Sequence, residues 1–338
     1  MRMDQEMTPL NDRNAEQVVS SLSNTFYAYK AMAILFVVMM HCIYSTRPVS
    51  RVAGAFGILG VPIFFFTSGF FFDRREATKV FWKKKMRSIV IPWLLYGTLL
   101  YLFACALNNF SKVELPFLKW IIGNGSWLYY VPVLIQCFIL FRICDNKWFD
   151  MVVFLLFILS NVLCVLDIID HLPWYTKYQM VFNWCGFFQL GMIARKNILA
   201  VMTLLNRKPV KAAIVGLWIL SAIYYFTTDF VGYWSPVALV HELLGIVAFF
   251  VIADTCLKKA NLLVDIGKNT YVIFFLHMQF GIPTVRRIFT PLGLMENEWV
   301  RLLLQPASIV LSVYAGIKAV QWISKKFGLE KITRIFRI

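Results

Sequence analysis

Ten stretches of this chain, at about 26–45, 53–72, 88–107, 127–144, 149–170, 180–195, 210–229, 235–255, 270–289 and 299–323, run almost without charge at close to bilayer-crossing length. A hydrocarbon core of about 30 Å takes roughly 20 apolar residues per helix. It offers no water to unpaired backbone groups, so the stretches are read as helices rather than open strands. Composition agrees. Of 338 residues, 59% are hydrophobic and 15% charged, against roughly a quarter charged in a soluble domain. The sequence therefore predicts an all-α fold, a polytopic transmembrane helical bundle of about ten spans.

The net charge of +16 raises the question of nucleic acid, and its distribution answers it. With the N-terminus placed inside, the loops on that side hold 22 of the 34 lysines and arginines: seven in 74–87, two in 142–148, five in 195–211, three in 256–269 and five after Ser324. Such a bias sets orientation, so both termini are expected to be cytoplasmic and no nucleic-acid partner is implied. The expected organisation is a polar cytoplasmic tail at 1–25, one membrane domain at 26–324 and a basic tail at 325–338. The first tail reads as disordered or lying along the membrane surface, and nothing in it resembles a cleaved signal. The segment 108–126 reads as a lid or re-entrant cover. The seven cysteines form no CxxC pair, so neither a disulfide framework nor a metal site is expected.

Ionisable residues inside spans are costly and mark functional sites by default. Here they are Lys30, His41, His241, Glu242 and His277. Lys30 and His41 are eleven positions apart, which places them on one helix face about 16 Å apart along the axis. Lys30 can also simply snorkel to the interface, and a histidine in a bundle can simply bond a neighbouring helix. Cys42 points about 100° away from His41, which argues against a dyad within that helix. Ser68 and Gly69 end the second span, just before a basic run with Arg74, Arg75, Lys83, Lys84, Lys85 and Arg87. That run serves topology and anionic lipid headgroups, or it holds a phosphate-rich molecule arriving from the cytoplasm.

The order of these features resembles the bacterial acyltransferase-3 family of membrane O-acyltransferases. The segment "KAMAILFVVMMH" matches that family's opening basic residue and histidine in Lys30 and His41. "GVPIFFFTSGF" follows, then "KKKMRSIVIP", "WLYYVPVL" from Trp127, "FFQLGMIARK", and "IGKNTYVIFFLH" ending at His277. Lys30 stands where arginine is common, and the family's arginine pair is met by Lys84 and Arg87. Lysine does not reproduce arginine's planar fork. The resemblance implies transfer of an acyl group, usually acetyl, from cytoplasmic acetyl-CoA to a hydroxyl of an envelope glycan or related acceptor. It implies a multi-pass protein of the bacterial cytoplasmic membrane and leaves room for a homodimer.

On that resemblance His41 would be catalytic, as general base or as a transient acyl carrier. Lys30 and the 83–87 run would face the CoA phosphates, Ser68, Gly69, Arg74 and Arg75 lying beside them. As a residue in its own right, Glu242 would orient His41, neutralise Lys30 or equally pair with an arginine in the bundle, and His277, matched by the family motif, completes the catalytic candidates. His171 and His241 have nothing to recommend them. Three rival readings compete. A lipid-linked glycosyltransferase would want acidic residues in the first outer loop, and "TRPVSRV" has none. The other major family of membrane O-acyltransferases fits the span pattern worse. A polysaccharide or small-molecule exporter is the chief alternative, although such transporters often carry internal repeats and none is visible.

Overall fold

The computed structural model describes residues 7–42, 48–107, 116–169, 176–227, 232–235 and 237–338, and among them it is helical with no strand. The helices are α1 (Met7–Ser21), α2 (Ser23–Met40), α3 (Pro48–Gly57), α4 (Gly60–Phe70), α5 (Thr78–Lys85), α6 (Ile91–Leu107), α7 (Phe117–Ile121), α8 (Tyr130–Ile143), α9 (Lys147–Val165), α10 (Cys185–Lys196), α11 (Ile198–Leu205), α12 (Lys208–Thr227), α13 (Ala238–Ile252), α14 (Asn261–Lys268), α15 (Thr270–Leu276), α16 (Ile282–Phe289), α17 (Gln305–Lys326) and α18 (Glu330–Ile335). Wide π turns at Met86–Val90, Ala253–Leu257, His277–Gly281 and Val300–Leu304 interrupt four of the longer helical runs.

Each of the ten expected spans falls on helical chain over most of its length, but seven helices among the described residues are long and apolar enough to cross a membrane unaided. The sixth stretch explains part of the difference. α10 and α11 meet at 89°, where the Asn197 side-chain amide donates to the Ile193 carbonyl at 2.9 Å and ends α10. The fourth stretch is a shorter apolar helix, Trp127–Ile143. The polar N-terminal segment is helical as α1, with an Arg195–Glu16 ion pair at 2.5 Å fastening it to α10.

Burial separates the interior from the lipid face. The Ser50–Phe70 span is 72% buried, whereas the Lys208–Thr227 span is only 17% buried and exposes Leu217, Leu220, Ile223 and Tyr224. In a bilayer such leucine-rich surface faces acyl chains, and small residues draw the interior helices together. α4 and α10 cross at Gly69 and Gly191. A Cβ on Gly69 would stand 1.8 Å from the Phe188 carbonyl oxygen, and one on Gly191 would stand 2.0 Å from that of Phe66.

The second close approach matters most for the site. α14 lies so tightly on α2 that a Cβ on Gly267 would stand 1.9 Å from the Tyr27 carbonyl oxygen. On its other side Asp265 receives a hydrogen bond from Tyr314 at 2.6 Å and an ion pair from Lys318 at 2.5 Å, both on α17. α14 is thus clamped, and Lys268 at its end is carried against α2. Gly267→Ala is expected to destabilise the protein by about 1–3 kcal/mol through overpacking, read as a lowered midpoint of thermal unfolding in detergent. An unchanged midpoint would show that α14 is not seated this closely.

Candidate functional site

Two imidazoles meet where α2 ends. His41 is the C-cap residue of α2 and is half-buried. His277, fully buried, begins the wide turn after α15, a local geometry that recurs at functional sites. Their ring centroids are 5.2 Å apart with planes inclined at 41°. The Nδ1 of His277 lies 2.7 Å from the Phe274 carbonyl and 3.3 Å from that of Ile273. A carbonyl only accepts, so Nδ1 carries the proton and Nε2 of the neutral ring is a bare lone pair. That Nε2 is buried without a partner among the described residues, as is the indole Nε1 of Trp127. The Trp127 ring stands edge-on 6.2 Å from His277. A buried acceptor and a buried donor, each left unsatisfied at about 1–3 kcal/mol, therefore adjoin one imidazole. Both suit a small polar group.

Towards the basic end of α2 the structure holds a cavity of ≈ 220 Å³. Four cations line it, Lys30, Lys85, Lys268 and Arg337, together with the hydroxyls of Thr67, Ser68, Tyr130, Thr270 and Tyr271. Among the described residues that line it there is no carboxylate. Lys30 and Lys268 lie over the same Tyr27 ring, at 4.7 and 5.6 Å from its centroid, and Lys85 lies 4.5 Å from that of Phe138. Ser68 Oγ is 3.3 Å from Tyr130 Oη, and Tyr271 donates to the Ile89 carbonyl at 2.6 Å. The volume falls below the roughly 300–1,000 Å³ that encloses a drug-sized ligand, so it suits one charged end of a longer molecule. Phe274 connects the two regions: it lines the cavity, and its ring lies 6.2 Å from that of His277.

The structure brings some candidates from the sequence together and disperses others. Lys30, Ser68 and Lys85 line the cavity, and His41 and His277 form the pair. Gly69 is turned against α10 instead. Arg74 is taken up by Asp145 at 2.8 Å, Asp150 at 2.5 Å and the Phe141 carbonyl at 2.9 Å. Lys84 pairs with Glu76, while Arg75, Lys83 and Arg87 are exposed and outside the cavity lining. Glu242 is buried within electrostatic range of Tyr129, Tyr225 and Tyr233. Among the described residues no hydrogen bond or ion pair joins it to His41 or Lys30. His241 is a staple, with Nδ1 2.8 Å from Ser221 Oγ and Nε2 2.8 Å from the Ala55 carbonyl. His171 lies outside the described residues. Among those described, no three His, Cys, Asp or Glu side chains are grouped to hold a metal.

Sequence reasoning missed Thr67, Tyr130, Tyr271, Lys268 and Arg337 as cavity residues. Lys268 stands within "IGKNTY" and Tyr130 within "WLYYVPVL", so a motif had marked their neighbourhoods. Arg337 carried no signal beyond its charge.

The fold and site together are those of a helical protein with membrane-length apolar helices that sets a histidine pair beside a basic cavity. The family model described as an acyltransferase domain, acyltransferase-3, matches residues 28–317, and the chain belongs to that family. It is a membrane acyltransferase. No curated protein and no solved structure matches the chain.

Proposed function

We propose that the protein transfers an acyl group from a coenzyme A thioester, bound from the cytoplasmic side, to a hydroxyl of an envelope glycan or related acceptor at His41. The observation that carries this reading is the stacking of two regions on α2: a four-cation cavity at Lys30 and a histidine pair eleven residues on. Cationic groups without a carboxylate favour a phosphate-bearing donor. A pantetheine arm, roughly 15–20 Å extended on the backbone length scale, matches the rise from Lys30 to His41. The basic end of the bundle faces the cytoplasm on this reading, in keeping with the charge bias.

The chemistry is a direct transfer. The acceptor oxygen attacks the thioester carbonyl carbon while His41 removes its proton, and the tetrahedral intermediate collapses with cleavage of the C–S bond. The imidazolium then returns the proton to the departing thiolate, leaving an ester and free coenzyme A. Proton transfer of this kind contributes about 10²–10⁴-fold. His277, its Nδ1–H committed to backbone carbonyls, offers only a lone pair and has no proton to donate to the reaction.

Incubation of the purified protein with acetyl-labelled acetyl-CoA tests the proposal: label should pass to a hydroxyl acceptor or be released as acetate by water. Absence of both, with folded protein, would overturn it in favour of an exporter. Within the same assay, the triple variant Lys30→Gln, Lys85→Gln, Lys268→Gln is expected to raise KM for the donor by about 10²-fold with kcat at saturation changed less than about three-fold, because ground state and transition state lose the same contacts. An unchanged KM in correctly oriented protein would remove the cavity from donor binding.

A further inference from the structure

The basic cavity is completed by a segment that lies beyond the family match, which ends at residue 317. After α17 the chain turns back, Leu329 donating its N–H to the Ser324 carbonyl at 2.8 Å, and α18 follows. The side chains of Ser324 and Thr333 then meet, Oγ to Oγ1, at 2.9 Å. Phe336 is clipped to α6. Its carbonyl accepts from Tyr96 Oη at 3.0 Å, its ring lies edge-on 5.7 Å from that of Tyr96, and Tyr96 itself stacks on Phe275 of α15 at 4.9 Å. The clip delivers Arg337 to the cavity wall.

Arg337 is held there in an uncommon way. Its φ of 59° is in the left-handed region, which a residue other than glycine seldom occupies and which persists where the surroundings enforce it. Its Nη1 donates to the Ser88 carbonyl at 2.9 Å, in the wide turn between α5 and α6, and its guanidinium lies 4.9 Å over the Tyr271 ring. A guanidinium has five N–H donors, and Nε and Nη2 have no protein partner among the described residues. Both Lys30 and Lys85 lie within its electrostatic reach, Lys85 being drawn also by the Glu76 carboxylate outside the lining. Fixed like charges so arranged repel one another, and with no carboxylate in the lining an anion among them relieves the repulsion.

We propose that Arg337 is a donor-binding residue, and that the clipped segment 327–338 brings it to the cavity wall to hold a phosphate of the acyl donor. The inference rests on the acyl-CoA reading above and adds a ligand from outside the matched domain. Arginine suits the role because its planar fork meets two phosphate oxygens at once, which the three cavity lysines cannot do singly. Ser88 and Tyr271 orient that fork without neutralising it.

The test uses the full chain in phosphatidylcholine nanodiscs, titrated with coenzyme A, with inorganic pyrophosphate and with pantetheine. Arg337→Gln should weaken coenzyme A and pyrophosphate binding by about ten-fold, the scale of one charge-assisted contact, and leave pantetheine unchanged. Arg337→Lys should recover part of the loss. Phe336→Ala, which keeps the arginine and the backbone carbonyl but removes the ring contact with Tyr96, should loosen the clip and weaken the same two ligands. Arg337→Gln binding both phosphate ligands like the wild type would overturn the inference, as would an equal loss for pantetheine. Wild type that binds pyrophosphate and not coenzyme A would remove the acyl-CoA reading and leave Arg337 to be judged on pyrophosphate; wild type that binds neither would remove both. Phosphatidylglycerol added to the discs that displaces pyrophosphate from the wild type, but not from Arg337→Gln, would identify a lipid headgroup as the occupant and overturn the donor assignment.

Discussion

His41→Ala is expected to lower acyl transfer by about 10²–10⁴-fold, the usual cost of losing a general acid–base group, with the protein still folded and inserted. His41 stands at the end of α2, after the last helical turn, so its removal breaks no helix. It is half-buried, and among the described residues its side chain makes no hydrogen bond, so little structural penalty is expected. The contrast with His241 makes the prediction specific. His241→Ala cuts a staple between Ser221 and the Ala55 carbonyl and should lower stability, leaving chemistry in the surviving fraction intact. His277→Ala removes the neighbour 5.2 Å away and should lower kcat by less than His41→Ala, because the base itself remains. Initial rates at saturating donor, normalised to folded protein by size-exclusion chromatography, provide the comparison. Near wild-type turnover in His41→Ala would end its assignment as the base, and an equal loss in His241→Ala would show that the assay reads stability.

The pair on α2 was legible because helical periodicity is rigid. Eleven residues bring Lys30 and His41 to one face whatever the rest of the chain does, and the all-helical bundle follows from apolar length alone. The basic run after α4 was not legible in the same way. Its residues are adjacent in sequence, but their partners are remote: Arg74 is taken by Asp145 and Asp150, 71 and 76 positions away, whereas Lys85 turns inward over Phe138. No local pattern distinguishes the two outcomes. Arg337 lies still further off, reaching Ser88 across 249 positions, and only the fold reveals that contact. The wide turn at His277–Gly281 was equally hidden, since a single π turn leaves no period of its own. Glu242 was legible only as a buried carboxylate: its sequence position marked it as a candidate, and the fold alone shows that its surroundings are Tyr129, Tyr225 and Tyr233.

Transfer should require donor on one side of the membrane and deliver product on the other. The middle of α2 at Lys30 and its C-terminal cap at His41 differ in charge and in access. Lys30 lines a cavity with Lys85, Lys268 and Arg337, and the last three belong to the loops and tail whose basic excess is expected to face the cytoplasm. His41 lies about 16 Å further along the axis, beyond Phe274, at the C-terminal cap of α2. A coenzyme A bearing several phosphates cannot cross a hydrocarbon core, where even one charge is costly, so on the proposed reading its charged end stays at the basic mouth while the thioester reaches inward. On the proposed reading the acceptor, a hydrated hydroxyl compound, approaches the half-buried His41 from the other end. Protein reconstituted in sealed vesicles, with orientation fixed by protease access to the 74–87 loop, separates the two routes of access. Acetyl-CoA supplied only on the face bearing that loop should support acylation of an acceptor supplied only on the opposite face. Donor moved to the opposite face should leave activity at the level set by leakage and by misoriented protein. Activity that demands both substrates on the same face would refute transfer across the bilayer and leave His41 serving a reaction confined to one side.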